Sequence, residues 1–166
     1  MTVDNKKSTI ETQPRSNRTK TKLDATGNNH NSIKDQVGNI TSLLQKGDRN
    51  QAKELCSKCL EDRPNDPDLL HLFGGILCED DLILEGISYY LKALDKRPDF
   101  ADALYKLANA LRRVDNNEEA VLRYRQVLKI RPGIAGVHYD LANTLLELGR
   151  STEAIDNYNK SIMKLF

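Results

Sequence analysis

The chain has 166 residues, with 25 Lys and Arg against 24 Asp and Glu, a formal charge of +1. Such an even balance argues against a general affinity for nucleic acid or for an anionic membrane. The longest apolar stretch, Leu69 to Cys78, contains His71 and two glycines and is too short to span a bilayer. The first residues hold no apolar run of the signal-peptide kind, and the three cysteines, an odd number, are expected to be reduced thiols. The expectation is a soluble, intracellular protein of the cytoplasm.

Residues 1–32 hold Thr, Asn, Ser and Lys with almost no large apolar side chains; Ile10 and Leu23 stand alone. Such a segment cannot bury enough surface to offset its ordering entropy, so a disordered, solvated polar tail is expected. From Ile33 onward, apolar residues return at spacings of three and four, the mark of amphipathic helices. Val37, Ile40, Leu43 and Leu44 outline a first helix, and Ala52, Leu55, Cys56, Cys59 and Leu60 a second. Gly47 suits the end of one and Asp48 the start of the next.

Asp66-Pro67 reads as an N-cap acid followed by a first-turn proline. Leu70, Phe73, Gly74 and Leu77 then mark a third helix, Asp80-Asp81 a turn, and Ile83 to Lys96 a fourth. Leu104, Leu107, Ala108 and Leu111, then Ala120, Tyr124, Val127 and Leu128, mark the next pair around Asp115-Asn116-Asn117. Leu141, Ala142, Leu145 and Leu148, then Ala154, Tyr158 and Ile162, mark the last pair around Gly149.

These pairs keep one period. Arg63-Pro64, Arg97-Pro98 and Arg131-Pro132 are each 34 residues apart. Small residues share one register (Ala52, Gly86, Ala120, Ala154), large ones another (Cys56, Tyr90, Tyr124, Tyr158), and leucines a third (Leu43, Leu77, Leu111, Leu145). A fixed period of this length marks a repeat array, in which no hairpin buries its apolar face alone but stacked hairpins do. The predicted units are 33–66, 67–100, 101–134 and 135–166.

The pattern resembles the tetratricopeptide repeat, a 34-residue helix–turn–helix with the signature W-x2-L-G-x2-Y, A-x3-F, P. One unit reads Leu104-x2-Leu107-Ala108-x2-Leu111, Ala120-x3-Tyr124, Pro132; another reads Leu70-x2-Phe73-Gly74-x2-Leu77, Gly86-x3-Tyr90, Pro98. The last reads His138-x2-Leu141-Ala142-x2-Leu145, Ala154-x3-Tyr158. The first is regular only in its second half, and Trp is absent throughout. The resemblance covers residues 33–166 and implies an all-α fold: a right-handed α-solenoid of four hairpins whose first helices line a concave groove for peptides.

On that resemblance the groove falls to Tyr105, Asn109, Arg112 and Arg113, to Tyr139 and Asn143, and to His71, with Asp68, Asp102 and Cys78 at related registers. Asn109 and Asn143 are equivalent, and a carboxamide can both donate to and accept from a peptide backbone. The pair is similar to the asparagine ladder in the repeat region of O-linked N-acetylglucosamine transferases. On this reading Asn109→Ala costs binding and almost no stability. The family's carboxylate clamp is not reproduced, because Tyr105 stands where a lysine is wanted.

No constellation points to chemistry. Cys56-x-x-Cys59 lacks the second ligand pair of a zinc site and sits in core registers. No Ser-His-Asp or Cys-His motif and no phosphate-cradling glycine loop is present. The expectation is a non-enzymatic scaffold, with no cofactor and no metal, that binds a protein or peptide partner rather than nucleic acid or membrane. The alternative is the repeat portion of a larger glycosyltransferase- or sulfotransferase-like enzyme. The last helix carries Ile162, Met163, Leu165 and Phe166, so the chain is expected either to be truncated or to self-associate end to end through that helix.

Overall fold

The computed structural model describes residues 32–162. The polar tail expected before Ile33 lies outside them except for Ser32, as do Met163, Leu165 and Phe166. Among the described residues every regular element is a helix: α1 (Ile33–Gln45), α2 (Arg49–Asp62), α3 (Pro67–Glu79), α4 (Ile83–Lys96), α5 (Ala101–Arg113), α6 (Asn117–Ile130), α7 (Ala135–Glu147) and α8 (Ser151–Ile162). They pair as α1–α2, α3–α4, α5–α6 and α7–α8, and each hairpin packs on the next to make an α-solenoid. None is long and apolar enough to cross a membrane.

The hairpin turns are one device used four times. Gly47, Asp81, Asp115 and Gly149, each 34 residues from the last, all adopt positive φ, between 58° and 83°. Gly reaches this left-handed region without penalty, and Asp is among the few other residues that visit it. The next residue's N–H then donates to a leucine carbonyl: Asp48 to Leu43, Leu82 to Leu77, Asn116 to Leu111 and Arg150 to Leu145, at 2.8 to 2.9 Å. These are Schellman closures, so the leucine register both fills the core and terminates the helix.

Starts are less uniform. Asp66 accepts from the N–H groups of Asp68 and Leu69, with Pro67 opening the helix. Asp48 precedes α2 as expected, but its side chain makes no capping bond.

Small residues let paired helices close. Ala108, Ala120, Ala142 and Ala154 are fully buried, and in α3–α4 the same places are glycines. A Cβ on Gly74 would stand 3.0 Å from the Gly86 carbonyl oxygen, and one on Gly86 would stand 2.8 Å from that of Gly74. The main core runs from Cys78 and Tyr90 through Leu107 and Tyr124 to Leu141 and Ala154. A second gathers Ile40, Ala52, Cys56, Cys59, Leu69 and Ile76. Cys56 and Cys59 are free thiols inside it. Burial pushes the Cys56 thiol up to about 12 and raises that of Cys59, which suits packing and opposes thiolate chemistry.

The arginine of each Arg-Pro pair ties the ends of its own hairpin together. Arg97 forks onto Asp68 at 2.9 and 2.7 Å, Arg131 reaches Asp102 at 3.0 Å, and Arg63 reaches Gln36 at 2.8 Å. The guanidinium beside Asp68 holds its carboxyl below the usual carboxylate range. Asp68 and Asp102, placed in the groove by resemblance, are thus committed to these internal ties.

Candidate functional site

The first helices of the last three hairpins bring three registers to one face. The first is aromatic: His71, Tyr105 and Tyr139. Each ring leans on the tyrosine of its partner helix, His71 on Tyr90 at 5.9 Å, Tyr105 on Tyr124 at 6.1 Å and Tyr139 on Tyr158 at 5.8 Å between centroids. These tilted and edge-on geometries suit the aromatic quadrupole. His71 is also 5.0 Å from the Phe100 ring, and burial lowers its pKa, so the neutral imidazole is favoured. Tyr139 is the exposed member, at 53 %.

The second register is Gly75, Asn109 and Asn143. The Tyr124 hydroxyl donates to Asn109 Oδ1, and the Tyr158 hydroxyl donates to Asn143 Oδ1 at 2.6 Å. The same bond recurs one repeat apart. Asn109 therefore supports the core, which changes the expectation for Asn109→Ala: truncation strips the fully buried Tyr124 of its acceptor, a loss that costs about 1–3 kcal/mol. Each carboxamide oxygen already has one donor, which leaves the NH2 group as the donor function; that of Asn109 also faces the Tyr105 hydroxyl.

The third register is charged, and its members are not free cations. Arg112 Nη2 donates to Glu147 Oε1 at 2.8 Å. Arg113 reaches back to the preceding hairpin, to the Cys78 carbonyl oxygen at 2.7 Å and Asp81 Oδ1 at 2.9 Å. The Tyr105 hydroxyl donates to Asp140 Oδ2 at 2.6 Å. Burial first, and then that carboxylate, raise the Tyr105 pKa, so the phenol keeps its proton. These partners lie a whole repeat away because stacking sets equivalent helix faces side by side.

Two depressions open on this face. One, of about 510 Å3, lies between α5 and α7 and gathers Tyr105, Asn109, Arg112 and Arg113 with Asp115, Asp140 and Glu147. The other, of about 160 Å3, lies between α3 and α5 and is lined by Gly75, Cys78, Tyr90, Lys106, Asn109 and Arg113 among others. Asn109 and Arg113 line both. Four of the seven residues expected in the groove thus share the larger depression, while His71, Tyr139 and Asn143 line neither. Cys78, 8 % exposed, lines the smaller one. Asp140 was missed because it repeats no motif position; its signal is its place one repeat and one residue after Tyr105. Among the described residues no group of His, Cys, Asp or Glu is arranged to hold a metal ion.

Residues 83–133 and 105–162 match the family model for the tetratricopeptide repeat. No curated protein sequence matches the chain. Its fold is similar to a crystal structure of MamA, with a TM-score of 0.74 and 19 % identity over 81 % of this chain and 78 % of that one. A second MamA structure gives 0.73 and 19 % over 80 % and 73 %, and the MamA RS-1 ArsTM double mutant gives 0.72 and 18 % over 79 % and 74 %. The likeness to the repeat region of O-linked N-acetylglucosamine transferases finds no support in these matches. The two asparagines that suggested it serve as acceptors for the hydroxyls of the buried Tyr124 and the half-buried Tyr158.

Proposed function

We propose that this chain, whose residues 83–133 and 105–162 match the tetratricopeptide repeat model, is a non-enzymatic interaction module holding an extended segment of a protein partner along α3, α5 and α7. The observation that carries this reading is the recurring tyrosine–asparagine bond. It fixes two carboxamides one repeat apart in the same attitude, each with NH2 donors to spare, on a face that also carries exposed aromatic surface at Tyr139. Preorganised donors at regular intervals suit the carbonyls of an extended backbone and demand little of its sequence. Tyr105, Arg112 and Arg113, already held by their cross-repeat partners, would shape the wall, with His71 and Tyr139 at its two ends.

The test separates binding from folding. Peptides are selected on the full chain by display, then titrated against Asn109→Asp/Asn143→Asp. A carboxylate oxygen still accepts from each tyrosine, so the melting temperature should stay near the parent's. The donors are gone, so affinity should fall about tenfold or more, two ordinary hydrogen bonds' worth. Undiminished affinity would contradict the reading.

We also infer that α8 contacts a second copy of the chain. Val121 and Ile155 hold the same register in successive hairpins; Val121, with α7 packed on its helix, is 1 % exposed, whereas Ile155 is 58 % and Ile162 53 % exposed. The surface that each hairpin gives to the next is thus left open on α8 among the described residues. Sedimentation at rising concentration should show dimers or larger species, which Ile155→Glu/Ile162→Lys abolishes. A parent chain that stays monomeric throughout would rule this contact out.

A further inference from the structure

The tyrosine–asparagine pairing fails once. Tyr90 holds the register of Tyr124 and Tyr158, but its expected partner is Gly75. Tyr90 is 1 % exposed, and its hydroxyl oxygen lies 3.5 Å from where a Cβ on residue 75 would stand. Its hydroxyl meets the Cys78 thiol, a weak hydrogen-bond partner. Burial, with Cys78 and Glu79 nearby, raises the Tyr90 pKa, so the group keeps its proton and is a donor without a strong acceptor.

The missing side chain leaves a space. The depression of about 160 Å3 between α3 and α5 opens over Gly75 and is lined by Tyr90, Lys106, Asn109 and Arg113. Its charge is uneven. Lys106 forms no ion pair among the described residues, and Arg113 lies about two turns further along the same helix α5, steadied by Asp81 and the Cys78 carbonyl. The one acid in the lining, Glu79, is engaged by Arg49 at 3.2 Å.

We propose that this notch is a subsite for one acidic side chain of the bound segment, an Asp or Glu carboxylate that accepts from the Tyr90 hydroxyl between Lys106 and Arg113. The proposal rests on the groove reading above. A carboxamide would restore the pairing seen in the next two hairpins. Only a carboxylate also answers the unpaired Lys106 cation, and charge-assisted bonds are the stronger kind. Gly75 is then a specificity-determining position: where Asn109 and Asn143 complete their tyrosines from within the chain, Gly75 leaves Tyr90 to be completed by the ligand.

The test uses the isotope-labelled full chain titrated with N-acetylglutamate N-methylamide and, separately, N-acetylglutamine N-methylamide. Backbone amide shifts are followed at Gly75, Asn109 and Ala110. The glutamate probe should give saturable shifts there, with binding about fivefold or more tighter than the glutamine probe. Gly75→Asn should abolish the shifts, because its carboxamide fills the notch and takes the Tyr90 bond. That variant should fold, since its Cβ meets nothing closer than the ordinary 3.5 Å contact with the hydroxyl. Tyr90→Phe should weaken the glutamate probe several-fold.

Equal binding of the two probes, shifts that persist in Gly75→Asn, or no shifts at these residues up to the solubility of the probe would each overturn the proposal. Display-selected peptides separate it from the groove reading. If Asn109→Asp/Asn143→Asp weakens them and Gly75→Asn does not, the groove stands and the notch falls. If neither variant weakens them, both fall.

Discussion

Tyr124→Ala is expected to destabilise the protein by about 3–5 kcal/mol, the range for truncating a large aromatic side chain in a packed core. Tyr124 is fully buried. It stands in the main core with Leu107, Val127 and Leu141, with its ring against Tyr105 and its hydroxyl on the Asn109 oxygen, both on α5. Tyr124→Phe keeps the ring and loses only the hydroxyl bond, so it should cost about 1 kcal/mol. Denaturant unfolding of both variants gives the contrast. Because repeat arrays are sums of nearest-neighbour terms, the loss should be largest for probes in α5, α6 and α7. A cost below about 1 kcal/mol for Tyr124→Ala would mean that the hairpins do not enclose this ring.

Gly86→Ala should also destabilise, although alanine is the better helix former. The added methyl would lie 2.8 Å from the Gly74 carbonyl oxygen and closer still to Cys78 Sγ. The thiol can rotate, but the carbonyl belongs to α3 and yields only if the two helices part. Overpacking of this kind costs about 1–3 kcal/mol, against a propensity gain of about 1 kcal/mol. Gly38→Ala is the control of opposite sign. Gly38 lies in α1 with nothing within 4 Å of a new Cβ, so it should collect the propensity gain, about 0.5–1 kcal/mol. Thermal melts of the two variants should move in opposite directions; a stabilised Gly86→Ala would show that α3 and α4 do not approach as described.

The parts of the architecture carried by apolar spacing could be read from the sequence. The leucine register, the small-residue register and the Arg-Pro period set the hairpins, and the helix expected from Ile83 to Lys96 has those bounds. Periodicity reports which residues share a face, and burial follows from the face. It does not report which polar tips meet, because that depends on how closely hairpins stack and which rotamers the stacking permits. Asp68 and Asp102 fell on the groove side by register, yet the Arg-Pro arginines hold them. Arg113 was expected to be open to a ligand but closes the end of α3.

The sequence does carry one signal for the asparagine contacts. Asn109 precedes Tyr124 by 15 residues, and Asn143 precedes Tyr158 by the same interval. Two registers that co-occur at a fixed offset are candidates for contact. The exception at Gly75 and Tyr90 is then visible in the sequence as well, although the space it leaves is visible only in the structure.

The proposed partner segment lies along α3, α5 and α7. Photo-crosslinking tests it most directly: a display-selected peptide carrying a benzophenone is irradiated with the full chain, and the adducts are mapped by mass spectrometry. Adducts concentrated on α5 and α7, around Tyr105, Arg112 and Tyr139, are the expected result. Adducts concentrated on α4, α6 and α8 instead would place the partner on the opposite face and contradict the account.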